Sequence, residues 1–158
     1  MRPLFFSLLY EAMKKDDRIW LLVGDLGYGG ADKIRDDFPD RFINTGAAEQ
    51  TLIGIACGLA FEGKIPFCYS ITPFLVYRPF EILRTYVNYE NIPINLAASG
   101  RDKDYLHDGY SHNAEDVGEF LGGLTNIVKY FPEDLDDVEK MFQQMLTNKK
   151  PNFISLQK

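Results

Sequence analysis

The chain has 158 residues, enough for one domain with a single core. Its formal charge is −6, from 17 Lys and Arg against 23 Asp and Glu, and no basic cluster stands out. This balance argues against nucleic acid and anionic membrane surfaces as partners, and no apolar run approaches the roughly 18 residues of a membrane span.

Short β-rich runs alternate with longer helix-like stretches along the chain. The predicted strands are residues 18–25, 41–44, 65–70, 92–99, 125–131 and 152–157. The predicted helices are residues 3–15, 31–37, 47–62, 73–88, 113–122 and 134–147. This alternation predicts a mostly parallel sheet with helices on both faces. We therefore expect one α/β domain over residues 1–158, built as a three-layer αβα sandwich.

The N-terminal stretch and the cysteines indicate the cellular compartment of the protein. The start, MRPLFFSLLYEAMKKDD, regains charge quickly and no cleavage site follows, so it predicts an amphipathic helix rather than a signal peptide. Cys57 and Cys68 lie in apolar segments without metal-ligand spacing. We expect buried, reduced thiols in a cytoplasmic protein.

Four predicted strand ends carry unusual residues. They read GDLGYGG (24–30), NTGAAEQ (44–50), SITPFLVY (70–77) and SGRDKDYLHDGYSH (99–112). Open α/β sheets bind ligands at the carboxyl ends of their strands, so these loops should converge on one site. The first is glycine-rich but has neither the G-x-G-x-x-G order nor the Lys-Ser/Thr of a P-loop.

Glu49 opens a helix of small and apolar residues and has two interpretations. It could complement the helix dipole, since first turns favour acidic residues. It could equally be a functional carboxylate at the ligand edge of the sheet. This stretch alone does not decide between them.

The segment HDGYSH places His107, Asp108 and His112 within six residues. Imidazole and carboxylate suit zinc or iron, but the spacing matches no metal-ligand signature. We expect no metal and interpret the loop as hydrogen-bonding groups that face a polar substrate.

Gly54 and Gly58 lie four residues apart on one face of the helix 47–62. Glycine inside a helix costs up to about 1 kcal/mol relative to alanine, so two on one face suggest close approach of another backbone. A packing contact within the fold and a subunit interface both explain this.

Taken together, GDLG, FINTGAAEQTLIGIACGLAFEGKIPFCYSITPF and DGYSHNAEDVG resemble the pyrimidine-binding domain of transketolases, which depend on thiamine diphosphate. The resemblance covers essentially the whole chain. It implies the thiamine-diphosphate-binding fold of the pyrimidine-domain type. It also implies that Glu49 hydrogen-bonds N1′ of the aminopyrimidine and is a catalytic residue.

Other site residues follow from the same resemblance. Phe74 and Tyr77 match aromatic positions that flank the pyrimidine, and a third such position falls on Ile71. Asp25 matches an acidic residue at the cofactor-facing strand end. The residues implied for the substrate, among which His112 also counts as catalytic, are Arg2, Asp108 and His112.

The chain departs from the family pattern in its phosphate pocket. Gly29 stands where the family has a serine, Gly100–Arg101 where it has a histidine, and Lys158 where it has an arginine. We expect a pocket that is partly lost or rebuilt, with Arg101 or Lys103 as a replacement cation. The substrate would be a sugar phosphate or a related sugar.

The sequence contains no GDG motif, which in this family begins the Mg²⁺ and diphosphate site. The resemblance therefore implies half of a split transketolase, whose partner chain binds the diphosphate and Mg²⁺, in an α₂β₂ assembly. The chain alone could form a homodimer. Alternatives are a subunit resembling deoxyxylulose-phosphate synthase or a 2-oxo-acid dehydrogenase β-subunit, and a catalytically silent interaction module.

Overall fold

Strands and helices alternate along the chain as predicted. The computed structural model describes residues 1–158. The strands are β1 (Ile19–Val23), β2 (Phe42–Asn44), β3 (Ile65–Ile71), β4 (Asn95–Ser99), β5 (Val128–Tyr130) and β6 (Asn152–Leu156). The helices are α1 (Arg2–Lys15), α2 (Asp32–Asp37), α3 (Glu49–Phe61), α4 (Thr72–Tyr77), α5 (Phe80–Ile82, continued by a π-helical turn over Leu83–Tyr89), α6 (Val117–Gly122) and α7 (Leu135–Thr147).

The six strands form one sheet in the order β2-β1-β3-β4-β6-β5, and every pair is parallel. The sequence predicted a mostly parallel sheet, and the structure confirms the α/β class with an entirely parallel one. In this order β2, β1, β3 and β4 are neighbours. The four polar strand ends singled out in the sequence therefore lie side by side at one edge.

Helices cover both faces of the sheet, and each face has its own apolar core. One core holds 18 buried residues from α1, α2, α7 and one set of strand side chains, with Phe5, Phe67 and Phe142 at its centre. The other holds 20 buried residues, among them Leu52 of α3 and Leu75 of α4. This arrangement is the predicted three-layer sandwich.

Two predicted helices differ from the structure. The stretch 73–88 is interrupted between Tyr77 and Phe80, because Pro79 has no N–H to continue the helical ladder. The stretch 113–122 becomes helical only at Val117. Before it, Ala114 pairs with Asp102 in an isolated antiparallel bridge, which holds this part of the chain extended.

None of the helices combines the length and apolar character that crossing a bilayer requires. Cys57 and Cys68 are both buried and unpaired, as the apolar segments around them predicted. Burial raises the pKa of the Cys57 thiol to about 11.

Candidate active site

Glu49 lies in the first turn of α3 and is almost completely buried, with 1% of its surface exposed. Ser70 Oγ, at the end of β3, donates a hydrogen bond of 2.9 Å to Glu49 Oε1. Arg78 Nη1 donates one of 2.7 Å to Oε2. The carboxylate accepts no bond from the N–H groups of its own helix, so its contacts are not those of a helix-capping residue.

Gly24, directly after β1, makes room for this carboxylate. A Cβ atom built on Gly24 would lie 3.0 Å from Ser70 Oγ and 3.1 Å from Glu49 Oε1, which is tighter than side chains ordinarily pack. The ends of β1 and β3 and the start of α3 therefore meet around one buried acidic group.

Phe74 of α4 is linked to Glu49 through Arg78 and contacts two polar side chains. The Arg78 guanidinium carbon stands 3.7 Å from the centre of the Phe74 ring. The His112 ring packs against Phe74 edge to face, with centroids 4.8 Å apart. The structure thus brings together Glu49, Phe74 and His112, three of the predicted site residues, and adds Arg78, which the sequence interpretation missed.

The Tyr77 hydroxyl contacts Asp116, the residue directly before α6. The hydroxyl donates to Asp116 Oδ1 at 2.5 Å, and its ring packs edge to face on Phe120 at 5.0 Å. Burial, reinforced by Asp116, raises the pKa of Tyr77 well above that of a free phenol. These contacts make Tyr77 a packing residue of this face, and its predicted contact with a pyrimidine stays a prediction.

A cavity of about 760 Å³ lies between α1, the glycine-rich loop after β1 and the loop after β4, and none of Glu49, Phe74 and His112 lines it. Ile71 and Tyr69 from β3 lie on its wall, together with Arg2 and Asp108. The predicted substrate residues Arg2 and Asp108 therefore share one cavity, although 106 positions separate them in the chain.

Tyr105 closes one part of that cavity. Arg2 Nη1 donates to the Tyr105 hydroxyl at 2.8 Å, and Ser99 Oγ lies 3.0 Å from the same oxygen. A Cβ on Gly100 would stand 2.3 Å from the Tyr105 ring, so the ring fills the space that a side chain at 100 would need.

Arg101 and Asp25 lie outside the cavity wall. Arg101 donates to the backbone oxygens of Pro132 and Ser155, and burial lowers its pKa. This use of the guanidinium does not support its predicted role in binding substrate. The Asp25 carboxylate accepts a bond of 3.3 Å from the Tyr28 hydroxyl. The role of Asp25 beside a cofactor stays a prediction.

The segment 107–112 does not assemble a metal site. His107 Nε2 lies 3.4 Å from Asp108 Oδ2, and His112 Nδ1 lies 3.0 Å from Ser111 Oγ. No group of three or more His, Cys, Asp or Glu side chains in the structure is placed to hold a metal ion. The segment instead presents hydrogen-bonding groups beside Phe74 and the cavity.

Comparison with known proteins places the whole chain in one family. Residues 1–158 match the family described as the pyrimidine-binding domain of transketolase. A putative transketolase C-terminal section of Methanocaldococcus jannaschii is 32% identical over 99% of this chain and 50% of its own length. A 6-deoxy-6-sulfo-D-fructose transketolase subunit of Clostridium sp. strain MSTE9 is 30% identical over 99% of this chain and 49% of its own length.

A solved structure described as a split-gene transketolase, an inactive β4 tetramer, is similar in fold and sequence. The TM-score is 0.85 and the identity 29%, over 99% of this chain and 50% of that one. The chain thus spans about half the length of these relatives.

Proposed function

This chain belongs to the transketolase family, as its pyrimidine-binding domain, and from that premise we propose that it is one part of a split transketolase-like enzyme that uses thiamine diphosphate. The enzyme would transfer a two-carbon ketol unit between sugar substrates. The observation that carries the proposal is the buried carboxylate of Glu49 at the ligand edge of the sheet, where Arg78 contacts both this carboxylate and the face of Phe74.

The residues around Glu49 fit the pyrimidine half of this cofactor. A flat heterocycle with ring nitrogens and an amino group needs an aromatic face to stack on and a polar partner at its edge. Phe74 offers the face, Glu49 offers the partner, and Gly24 leaves the carboxylate uncrowded. Ile71 adds an apolar side chain on the neighbouring cavity wall.

The bound cofactor supplies the electron sink for the carbanion chemistry of ketol transfer. The task of this chain is to hold and orient it and to move one proton. Glu49 is the group proposed to share that proton with N1′ of the pyrimidine, as a general acid and base. Ser70 fixes Oε1, so Oε2 is the oxygen that faces the ligand.

The diphosphate half of the cofactor needs Mg²⁺, and no acidic cluster in this structure is built to hold that ion. We propose that a partner chain carries the diphosphate and Mg²⁺ site, and that two copies of each chain form an α₂β₂ assembly. The inactive β4 tetramer of the solved relative supports the expectation that copies of this chain made alone associate without activity.

The sugar substrate would occupy the cavity between α1 and the loop after β4. Asp108, which lines this cavity, and His112, which packs against Phe74, would hydrogen-bond sugar hydroxyls. Arg2, which lines this cavity together with Lys33, is a cation that suits an anionic group at the far end of the sugar. One relative is named for a sulfonated fructose, and a sulfonate is such a group. We propose a sugar phosphate or a related anionic sugar as substrate.

The test is Glu49→Gln in the enzyme reconstituted with a partner that carries the diphosphate site. Glutamine keeps the shape and can still hydrogen-bond, but it cannot exchange a proton, and such contributions are worth about 10²–10⁴-fold. Ketol-transfer turnover should fall by at least 10²-fold at full cofactor occupancy. The matched control is Glu62→Gln, an exposed glutamate that ends the same helix. Retention of more than about a tenth of the turnover by Glu49→Gln would refute the role of Glu49.

Calorimetry on the chain alone tests the division of the cofactor site. Thiamine diphosphate with Mg²⁺ should bind weakly or not at all, because the charged half finds no metal site here. A dissociation constant of about 1 μM or below would contradict the split-site proposal.

A further inference from the structure

Both oxygens of the buried Glu49 carboxylate are already occupied by side chains of this chain. Ser70 bonds Oε1 from inside the core, where it is itself fully buried. Arg78 bonds Oε2 from the opposite side, and 42% of its side chain is exposed while that of Glu49 is inaccessible. One partner of Glu49 is therefore fixed and the other lies at the surface.

Arg78 contacts the same two groups that an aminopyrimidine would need to contact, the Phe74 ring and the Glu49 carboxylate. Its guanidinium is planar, stacks on Phe74 at 3.7 Å from the ring centre, and donates an N–H to Glu49 Oε2 at 2.7 Å. A planar aminopyrimidine that stacks on Phe74 and bonds Glu49 would need the same ring face and the same oxygen. The two groups cannot hold these contacts together.

We propose that Arg78 is a positioning residue that occupies the pyrimidine subsite while the subsite is empty, and that an entering pyrimidine displaces it. The inference rests on the proposed function, because it takes the space between Glu49 and Phe74 to be a pyrimidine subsite. Arg78 acts through Glu49: it supplies the buried carboxylate with a counter-charge and keeps Oε2 oriented toward the surface.

The surroundings of Arg78 allow it to leave. Its guanidinium makes one hydrogen bond in the structure, the one to Glu49, and the residue lies at the C-terminal end of α4, directly before Pro79. Its backbone oxygen accepts a bond of 3.2 Å from Gln50 Nε2, so the main chain can stay in place while the side chain swings outward.

Displacement also makes the subsite selective. Removing the only charged partner of a buried carboxylate is strongly unfavourable unless another donor replaces it. A ligand that offers a flat ring without a donor at its edge would leave Glu49 unpaired. A ligand that offers a flat ring and a donor at its edge can stack on Phe74 and also pair with Glu49. Displacement of Arg78 therefore favours nitrogen heterocycles over plain aromatic rings.

The test uses the chain alone and the fragment 4-amino-2-methylpyrimidine as the probe. Binding is followed by NMR shifts of the Glu49, Phe74 and Ile71 signals, with no need for a partner or for activity. Arg78→Met and Arg78→Gln should each bind the probe at least tenfold more tightly than the wild-type chain. Glutamine can still donate to Glu49, so this variant covers the case in which Arg78→Met folds poorly. Arg78→Lys keeps a positive charge opposite Glu49, so its affinity for the probe should stay within about threefold of that of the wild-type chain.

Two controls complete the experiment. Arg84→Met changes an exposed arginine that forms no ion pair in the structure, and its affinity should match that of wild type. Adding Glu49→Gln to Arg78→Gln should abolish the gained affinity.

Equal affinity for the probe in the wild-type chain and in both neutral variants, lost on Glu49→Gln, would overturn the inference and leave the pyrimidine subsite standing. Glu49-independent binding would overturn both. Absence of binding by every variant would overturn the inference, and the proposed function would then be decided by the turnover of Glu49→Gln in the reconstituted enzyme.

Discussion

The hydroxyl of Ser70 donates a hydrogen bond of 2.9 Å to Oε1 of Glu49, and this bond ties the end of β3 to the first turn of α3 inside the protein. Both residues are buried, so water cannot replace the bond when one partner is lost. The bond therefore contributes to the stability of the fold as well as to the orientation of the carboxylate.

Ser70→Ala should lower the free energy of unfolding of the chain by about 1.5–3 kcal/mol, the range for hydrogen bonds to charged groups. Denaturant titration measures it. Ser7→Ala is the matched control, because Ser7 is exposed on α1 and makes no side-chain hydrogen bond, and it should change stability by less than about 0.5 kcal/mol. A Ser70→Ala chain as stable as wild type would show that Glu49 does not depend on this donor.

The cysteines should be unreactive in the folded protein. Burial raises the pKa of Cys57 to about 11, and it also raises the pKa of Cys68 well above its usual value. At pH 8 only about one Cys57 in a thousand is then a thiolate, against roughly a quarter of unperturbed thiols. The thiolate fraction grows as pH rises toward the raised pKa, so labelling of Cys57 by a disulfide reagent should quicken about tenfold between pH 8 and pH 9.

Labelling in denaturant is the control for this prediction, because both thiols should then react at once. Rapid labelling of either cysteine in the folded chain at pH 8 would contradict the buried positions of Cys57 and Cys68.

The sequence predicted the fold well because its signals are local. Apolar strands, helix-like stretches and strand-end loops repeat in a fixed order, and parallel topology then brings the loops of β2, β1, β3 and β4 together. The position of Glu49 at a strand-to-helix junction was predicted for the same reason, since it can be read from neighbouring residues, whereas its proposed role came only from the resemblance. The break at Pro79 also had a local signal, which the prediction of one helix over 73–88 left unused.

The contacts that shape the site were not predictable in this way. Arg78 reaches Glu49 across 29 positions and Arg2 reaches Tyr105 across 103, and nothing in either segment indicates its partner. The i, i+4 spacing of Phe74 and Arg78 on α4 was the one available clue, because such residues share a helix face. Arg101 shows the converse, since its charge suggested a ligand contact and the fold uses it to bond backbone oxygens.

Tyr105→Phe should change which sugars the reconstituted enzyme prefers. Without the hydroxyl, Arg2 Nη1 loses its acceptor at 2.8 Å, so one more of the five guanidinium N–H groups can bond an anionic group in the cavity. The ratio of kcat/KM for a ketose phosphate to that for the unphosphorylated ketose should rise by about threefold to tenfold, where tenfold is equivalent to about 1.4 kcal/mol.

Tyr110→Phe is the matched control, because Tyr110 lies in the same loop, is 80% exposed and makes no side-chain hydrogen bond. It should leave the ratio of kcat/KM values unchanged. An unaltered ratio in Tyr105→Phe would mean that Arg2 does not contact the end of the substrate.

Substitutions of the glycines of α3 should stabilise the chain alone, and a bulky one should weaken its assembly with a partner. A Cβ on Gly54 or Gly58 would meet no atom within 4 Å, so nothing inside this chain requires glycine there. Phe61, one turn beyond Gly58, is 72% exposed. Gly54→Ala and Gly58→Ala should each stabilise the isolated chain by up to about 1 kcal/mol, because alanine is the better helix former.

Gly58→Leu should also leave the isolated chain folded, since its side chain would point into open space. In the proposed α₂β₂ assembly the same leucine would hold an opposing backbone away from α3, so light scattering should show loss of the assembled species and activity should fall with it. Gly118→Leu, an open glycine on α6, controls for added apolar surface. Full assembly and activity in Gly58→Leu would exclude this face of α3 from the subunit interface.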